Sequence, residues 1–203
     1  RLPSPSLSPA NLLEVAQRIE QAFAQDFTGA VVVQGTDTIE ESAFLLDLLL
    51  GGDQPVVVTG AMRGADAPGA DGPANLLAAV RTAASAEARG LGTLVVLNYE
   101  IHAARFVRKA HTALPSAFAS PLAGPIGVVA EGRPRIHARP HYPGHAGRYG
   151  HGGLACVPVE AGDEGVRIIG GDLLVESRQQ GIDLPLQRNL AAGERIAQGH
   201  RAV

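Results

Sequence analysis

Thr36 and Thr38 flank Asp37 directly after the apolar run Val31-Val32-Val33 and the pair Gln34-Gly35. A strand there delivers two hydroxyls and a carboxylate at its tip. Far along the chain stands Lys109, the single lysine among seventeen Lys and Arg residues. Arginine keeps its proton in a protein, whereas a lysine can be made to release one, so a chain that uses Arg elsewhere has reason to keep Lys where a proton must move. A hydroxyl is a poor nucleophile at its own pKa and needs a base or a neighbouring charge, and a lysine can be either, with Asp37 to balance it. The same segment has a second reading. Asp37 with Glu40, or Thr38 with Glu41, has the spacing of a capping box at the start of a helix. The two readings are compatible, because a helix N-terminus offers free amides beside a developing oxyanion.

The elements that must position these groups are legible. Leu12, Leu13, Val15, Ala16, Ile19, Ala22 and Phe23 have helical spacing after Ser8-Pro9, a Ser cap with Pro at the first helical position. A strand over Ala30 to Val33 follows. Phe44, Leu45, Leu48 and Leu49 predict a second helix closed by Gly51-Gly52, then come the strand Val56 to Thr59, a helix over Pro73 to Ala88, and strands at Leu94 to Leu97 and Ile126 to Val129. Short, continuously apolar strands alternating with amphipathic helices predict an α/β fold, a mainly parallel sheet with helices on both faces. In such sheets ligands bind beyond the carboxyl ends of the strands, where Thr36-Asp37, Thr59-Gly60-Ala61-Met62 and Asn98-Tyr99 all fall.

Composition narrows the functional classes. A net charge of -3 gives no basic face for nucleic acid. The longest apolar patch, Phe44 to Leu50, is far short of the roughly 20 residues of a membrane span. Cys156 is the only cysteine, which excludes an intrachain disulfide and favours a small buried apolar residue. No Gly-x-Gly-x-x-Gly or phosphate-loop pattern follows any strand, so no nucleotide cofactor is expected. His137, His141, His145 and His151 lie in one Pro/Gly-rich stretch without a carboxylate or cysteine at ligand spacing, and read as a solvated His-rich linker rather than a metal site. Gly64 to Gly72 lacks the distal glutamate of a calcium loop and the lysine of a phosphate loop, and leads into a helix with Asp71 near its cap. His111 reads as a structural hydrogen-bonding residue near Lys109.

From Glu131 the character changes, and Pro/Gly-rich sequence to residue 153 predicts a linker. The expected organisation is an α/β domain over 1–130, a linker over 131–153, and a partial second domain over 154–203 that opens with a strand at Leu154 to Val159. The chain begins at Arg1 and runs directly into a helix, so the start of the natural polypeptide is expected to lie upstream. A cytoplasmic protein is expected, with a periplasmic or secreted one left open.

Five blocks in order carry a resemblance: Pro3 to Pro9, Gly35-Thr36-Asp37-Thr38, Val58 to Arg63, Ala70 to Leu76, and Ile101 to Arg105 leading to Lys109-Ala110-His111-Thr112. Together they resemble the bacterial-type L-asparaginases of the asparaginase/glutaminase family, over about residues 2 to 130. The resemblance implies hydrolysis of the side-chain amide of L-asparagine, and in some members L-glutamine, to the acid and ammonia, with no cofactor. It implies two threonines, the second matched by Thr36, and a lysine paired with it, matched by Lys109. Asp37 matches the carboxylate that holds the substrate ammonium. Ser4 matches the serine that binds the substrate carboxylate, and Ala61 the residue whose carbonyl lies at the amide end. The family's first threonine motif, Thr-Gly-Gly-Thr-Ile-Ala, does not occur in these 203 residues, and 154–203 match its smaller domain only weakly. The alternative is therefore an inactive remnant that binds or assembles. The family forms homodimers or homotetramers, so the expected partners are a small-molecule substrate and further copies of the chain, with neither nucleic acid nor membrane.

Overall fold

The computed structural model describes residues 2–140 and the backbone of 165–170 and 173–178. The chain opens with a 3-10 turn, Ser4–Ser6, and helix α1, Pro9–Phe23. The Ser8 cap forms with Asn11 as its partner: Ser8 Oγ accepts from Asn11 N, and Asn11 Oδ1 accepts from Ser8 N. There follow β1 (Phe27–Val33), α2 (Ile39–Leu49), β2 (Val56–Thr59), α3 (Gly72–Ala83) and β3 (Thr93–Leu97). The remaining described strands are β4 (Glu100–Ala103), β5 (Arg108–Lys109), β6 (Phe118–Ala119), β7 (Gly127–Ala130), β8 (Arg133–Ile136), β9 (Gly165–Gly170) and β10 (Leu173–Arg178).

Eight of these strands form one sheet in the order β10-β9-β1-β2-β3-β4-β7-β8. Its centre is parallel, with β9, β1, β2 and β3 side by side, and both flanks turn antiparallel, so the sheet is mixed around a parallel core. Side chains alternate across each strand. Ala30 and Val32 face α1 and α2 together with Val56, Val58 and Val95, whereas Val31, Val57, Leu94 and Val96 face α3. Helices thus cover both faces, as the continuously apolar strands require. From α1 the residues Leu12, Ala16, Ile19 and Ala22 are buried, each fully buried Leu or Ile contributing roughly 1.5–3 kcal/mol.

The antiparallel flank is built by two tight hairpins. Leu97 pairs with Glu100 and Ala130 with Arg133, leaving Asn98-Tyr99 and Glu131-Gly132 as two-residue loops with all four φ positive, the signature of type I′ turns. Asn98-Tyr99 is therefore a hairpin turn. The sheet also continues past residue 130, since Arg133–Ile136 pairs along β7 as the edge strand β8. The helix expected to run to Ala88 ends at Ala83 and is followed by a separate 3-10 turn at Ala86–Ala88. The strand expected at Leu154 to Val159, Cys156, and the histidines 141, 145 and 151 lie outside the described residues. No helix among the described residues is long and apolar enough to cross a membrane.

Candidate active site

The parallel strands β1 and β2 end in the loops that carry Thr36-Asp37 and Gly60-Ala61-Met62. Two close approaches bring these loops together. A Cβ on Gly60 would lie 2.5 Å from Gln34 O and 3.2 Å from the Thr36 methyl, so only glycine lets the end of β2 lie against the β1 loop. A Cβ on Gly35 would lie 2.6 Å from Ser4 Oγ, so the buried Ser4 packs directly beside the residue preceding Thr36. Thr38 Oγ1 donates to Ser4 O at 3.0 Å and fixes the 3-10 turn to the loop.

Lys109 reaches the same place from β5. Its Nζ is 2.9 Å from Thr36 Oγ1 and 2.9 Å from Asp37 Oδ1, so a hydroxyl, an ammonium and a carboxylate form a chain of contacts. The lysine side chain is 13% exposed and that of Asp37 61%. The cation is sheltered while the anion opens to solvent, where it can meet a second positively charged group. Neither expected capping box forms: Thr38, the N-cap of α2, has no side-chain cap bond. The Asp37 carboxylate is taken by Lys109, and the Glu40 carboxylate accepts the main-chain N–H of Lys109.

The Ala61 loop is held from behind. Asp71 accepts from Met62 N and Arg63 N, both at 2.9 Å. Asn75, on the first turn of α3, donates from Nδ2 to Gly60 O at 2.9 Å and to Asp71 Oδ2 at 3.0 Å, and accepts from Asn98 N at 2.9 Å. The exposed Ala61 sits between two pinned peptide groups. Burial alone would raise the Asp71 carboxyl, but the Met62 and Arg63 amides and the Asn75 side chain hold it below the usual carboxylate range. Sequence reasoning missed the Asn75 and Glu40 roles. Asn75 lies in the Ala70 to Leu76 block and Glu40 two residues past the Gly35 to Thr38 block, but nothing in their spacing says which backbone groups they reach.

The other singled-out groups have structural partners. His111 Nδ1 accepts from Leu114 N at 3.5 Å, and His137 Nε2 lies 2.9 Å from Pro125 O. No three His, Cys, Asp or Glu residues among those described are grouped to hold a metal ion. Ser4, Thr36, Asp37, Ala61 and Lys109 therefore gather at one sheet edge.

Residues 1–142 match the family described as "Asparaginase, N-terminal". The chain is 47% identical over 121 residues to L-asparaginase 2 of Bacillus subtilis, covering 59% of this chain and 32% of the relative. It is 42% identical over 145 residues to a glutaminase-asparaginase of Pseudomonas fluorescens, covering 70% of this chain and 40% of that protein. It thus spans well under half the length of these curated relatives. Among solved structures, a probable cytoplasmic L-asparaginase from Campylobacter jejuni superposes with a TM-score of 0.68 at 37% identity, over 70% of this chain and 45% of that one. With the matched α/β architecture and with the family's profile covering more than half of its residues, the chain belongs to the asparaginase family through that family's N-terminal domain.

Proposed function

We propose that this chain supplies the Thr36–Asp37–Lys109 part of an amidase centre that hydrolyses the side-chain amide of L-asparagine to L-aspartate and ammonia. The observation that carries the reading is the Lys109 Nζ 2.9 Å from both Thr36 Oγ1 and Asp37 Oδ1. As a free amine Lys109 takes the Thr36 proton; as an ammonium it stabilises the alkoxide. The Thr36 oxygen adds to the amide carbon, the amide nitrogen takes up the proton that Thr36 gave up and leaves as ammonia, and water hydrolyses the resulting ester to the acid and restores the hydroxyl. If Thr36 instead holds the attacking water, that water adds to the amide carbon, passes its proton to the leaving nitrogen, and gives the acid and ammonia directly. The open carboxylate of Asp37 is suited to the substrate's ammonium, Ser4 to its carboxylate, and the Ala61 carbonyl to the amide end. Recognition of both charged ends selects an amino acid over a plain amide. The names of the relatives support L-asparagine first and L-glutamine second. We assign the protein to the cytoplasm, in keeping with the name of its structural neighbour, and to a homodimer or homotetramer.

A second reading, a binding or assembly remnant without turnover, holds if the full product lacks the Thr-Gly-Gly-Thr-Ile-Ala segment that these 203 residues do not contain. Ammonia release from L-asparagine separates the two. It is measured on the longest product of the reading frame that carries these residues, with Thr36→Ala and Lys109→Met beside it. Release that both substitutions abolish supports the amidase; no release, or release that survives them, refutes it.

A further inference from the structure

The ribbon that carries Lys109 is too small to hold itself. β5 and β6 are two residues each and, among the described residues, pair only with one another, and an isolated two-stranded ribbon is marginal in water. Ala110 N donates to Ala117 O at 2.7 Å, so Lys109 and Phe118 face each other as a non-hydrogen-bonded pair, in which the Lys109 N–H points away from β6. That outward N–H is the one the Glu40 carboxylate accepts. Glu40 stands on the first turn of α2, between the loop that carries Thr36 and Asp37 and the buried residues Ala43 and Leu46. Its neighbour Ile39 packs in one core cluster with Val107, Ala117 and Phe118, the residues that flank and form the ribbon. Behind β6, His102 Nδ1 is 2.9 Å from Ser120 Oγ, which ties the other strand to the main sheet.

We propose that Glu40 is a positioning residue, whose carboxylate fixes the main chain of Lys109 so that its ammonium falls on Thr36 Oγ1 and Asp37 Oδ1 together. The inference rests on the reading of Lys109 as the working cation of the site. A lysine stem has four rotatable bonds and can wander over several ångströms, so a shared contact at 2.9 Å with two partners needs a fixed origin for the stem. Glu40 supplies that origin from the same helix turn that follows Thr36 and Asp37. Both ends of the contact are thereby referred to one rigid element.

Because Lys109 is the only lysine, the 203-residue chain grown with 15N- and 13C-labelled lysine gives a single lysine spin system, and the test needs no turnover. Glu40→Ala is expected to speed hydrogen exchange of the Lys109 amide about tenfold or more and to move its side-chain signals toward those of the unfolded chain. Glu40→Gln keeps an acceptor oxygen and is expected to change both far less. Thr36→Ala is expected to move the side-chain signals and leave the amide exchange as it was. Exchange of the β2 valine amides, read on a second sample labelled at valine, reports the rest of the fold in each variant. If Glu40→Ala leaves the Lys109 signals unchanged, or if it accelerates the β2 amides as much as the Lys109 amide, the positioning role is refuted. Failure of the amidase reading leaves these signals untouched, so the two can fall separately.

Discussion

Asp37 and Asp71 are one residue type on neighbouring loops of the same sheet edge, and their partners differ in kind. The Asp71 carboxylate is filled by two main-chain N–H groups and the Asn75 amide. It acts on backbone, and what it holds is the path of the Gly60–Arg63 loop. Asp37 makes its contact with another side chain of the candidate site, Lys109 Nζ, and leaves most of its surface to solvent. A carboxylate saturated by backbone donors has little capacity left for a ligand, whereas one shared with a single cation retains it. The difference separates a group that builds the site from one that can take part in it.

The largest expected effect breaks that distinction if it fails. Lys109→Met should lower ammonia release from L-asparagine by about 10²- to 10⁴-fold, equivalent to about 3–5 kcal/mol of barrier. Its effect on stability should be small. Loss of an ion pair whose carboxylate is this open costs about 1 kcal/mol or less. A urea midpoint that falls as steeply as activity would make Lys109 a structural residue and place it beside Asp71.

Asp71→Ala should show the opposite balance. It strips the acceptor from Met62 N and Arg63 N, and a part-buried amide left without a partner costs about 1–3 kcal/mol, readable as a lower urea midpoint at pH 7. The folded-state pKa of Asp71 is depressed, so its contribution is fully present at neutral pH and is lost as pH falls through that value. Asp71→Asn, which keeps one oxygen, should fall between. An Asp71→Ala variant with an unchanged midpoint would mean that solvent serves the loop amides as well as the carboxylate does.

How much of this was legible in the sequence depends on whether the information was local. The cap at Ser8-Pro9, the apolar strands β1 to β3 and the helices facing them follow from spacing alone, and so does the gathering of polar residues at the strand ends. The β7–β8 hairpin was hidden by Pro134, which argues against a strand unless it lies at a sheet edge, where β8 lies. Asn98-Tyr99 lacks the glycine that marks most two-residue turns, so its hairpin looked like a polar strand end. β5 and β6 are shorter than any period can reveal. Glu40 shows the deeper limit: its spacing from Asp37 fits a cap, yet its carboxylate is bound to a backbone amide sixty-nine positions away, a contact only the tertiary fold can create.

The smallest effect concerns a polar pair inside the core. His102 is buried on β4, with Ser120 Oγ 2.9 Å from Nδ1 and Glu100 Oε2 3.4 Å from Nε2. A neutral ring whose Nδ1 accepts from the hydroxyl satisfies Ser120, while Nε2 faces the carboxylate without a hydrogen bond to it. Burial lowers the His102 pKa, and the nearby Glu100 carboxylate offsets this only in part. Because the folded pKa lies below the unfolded value of about 6.5, the unfolded chain takes up a proton that the folded chain refuses as pH falls below that value. Stability is therefore full above about pH 6.5 and declines on acidification until the folded pKa is passed. The urea midpoint of the parent should drop between pH 7.5 and pH 5.5, and His102→Gln should show a shallower drop over the same interval, though it starts lower. Equal slopes would mean that the exposed histidines and carboxylates account for the whole acid response. In that case the buried pair, like Asp71 and unlike Asp37, serves only to hold chain segments together, here β4 and the turn after β6.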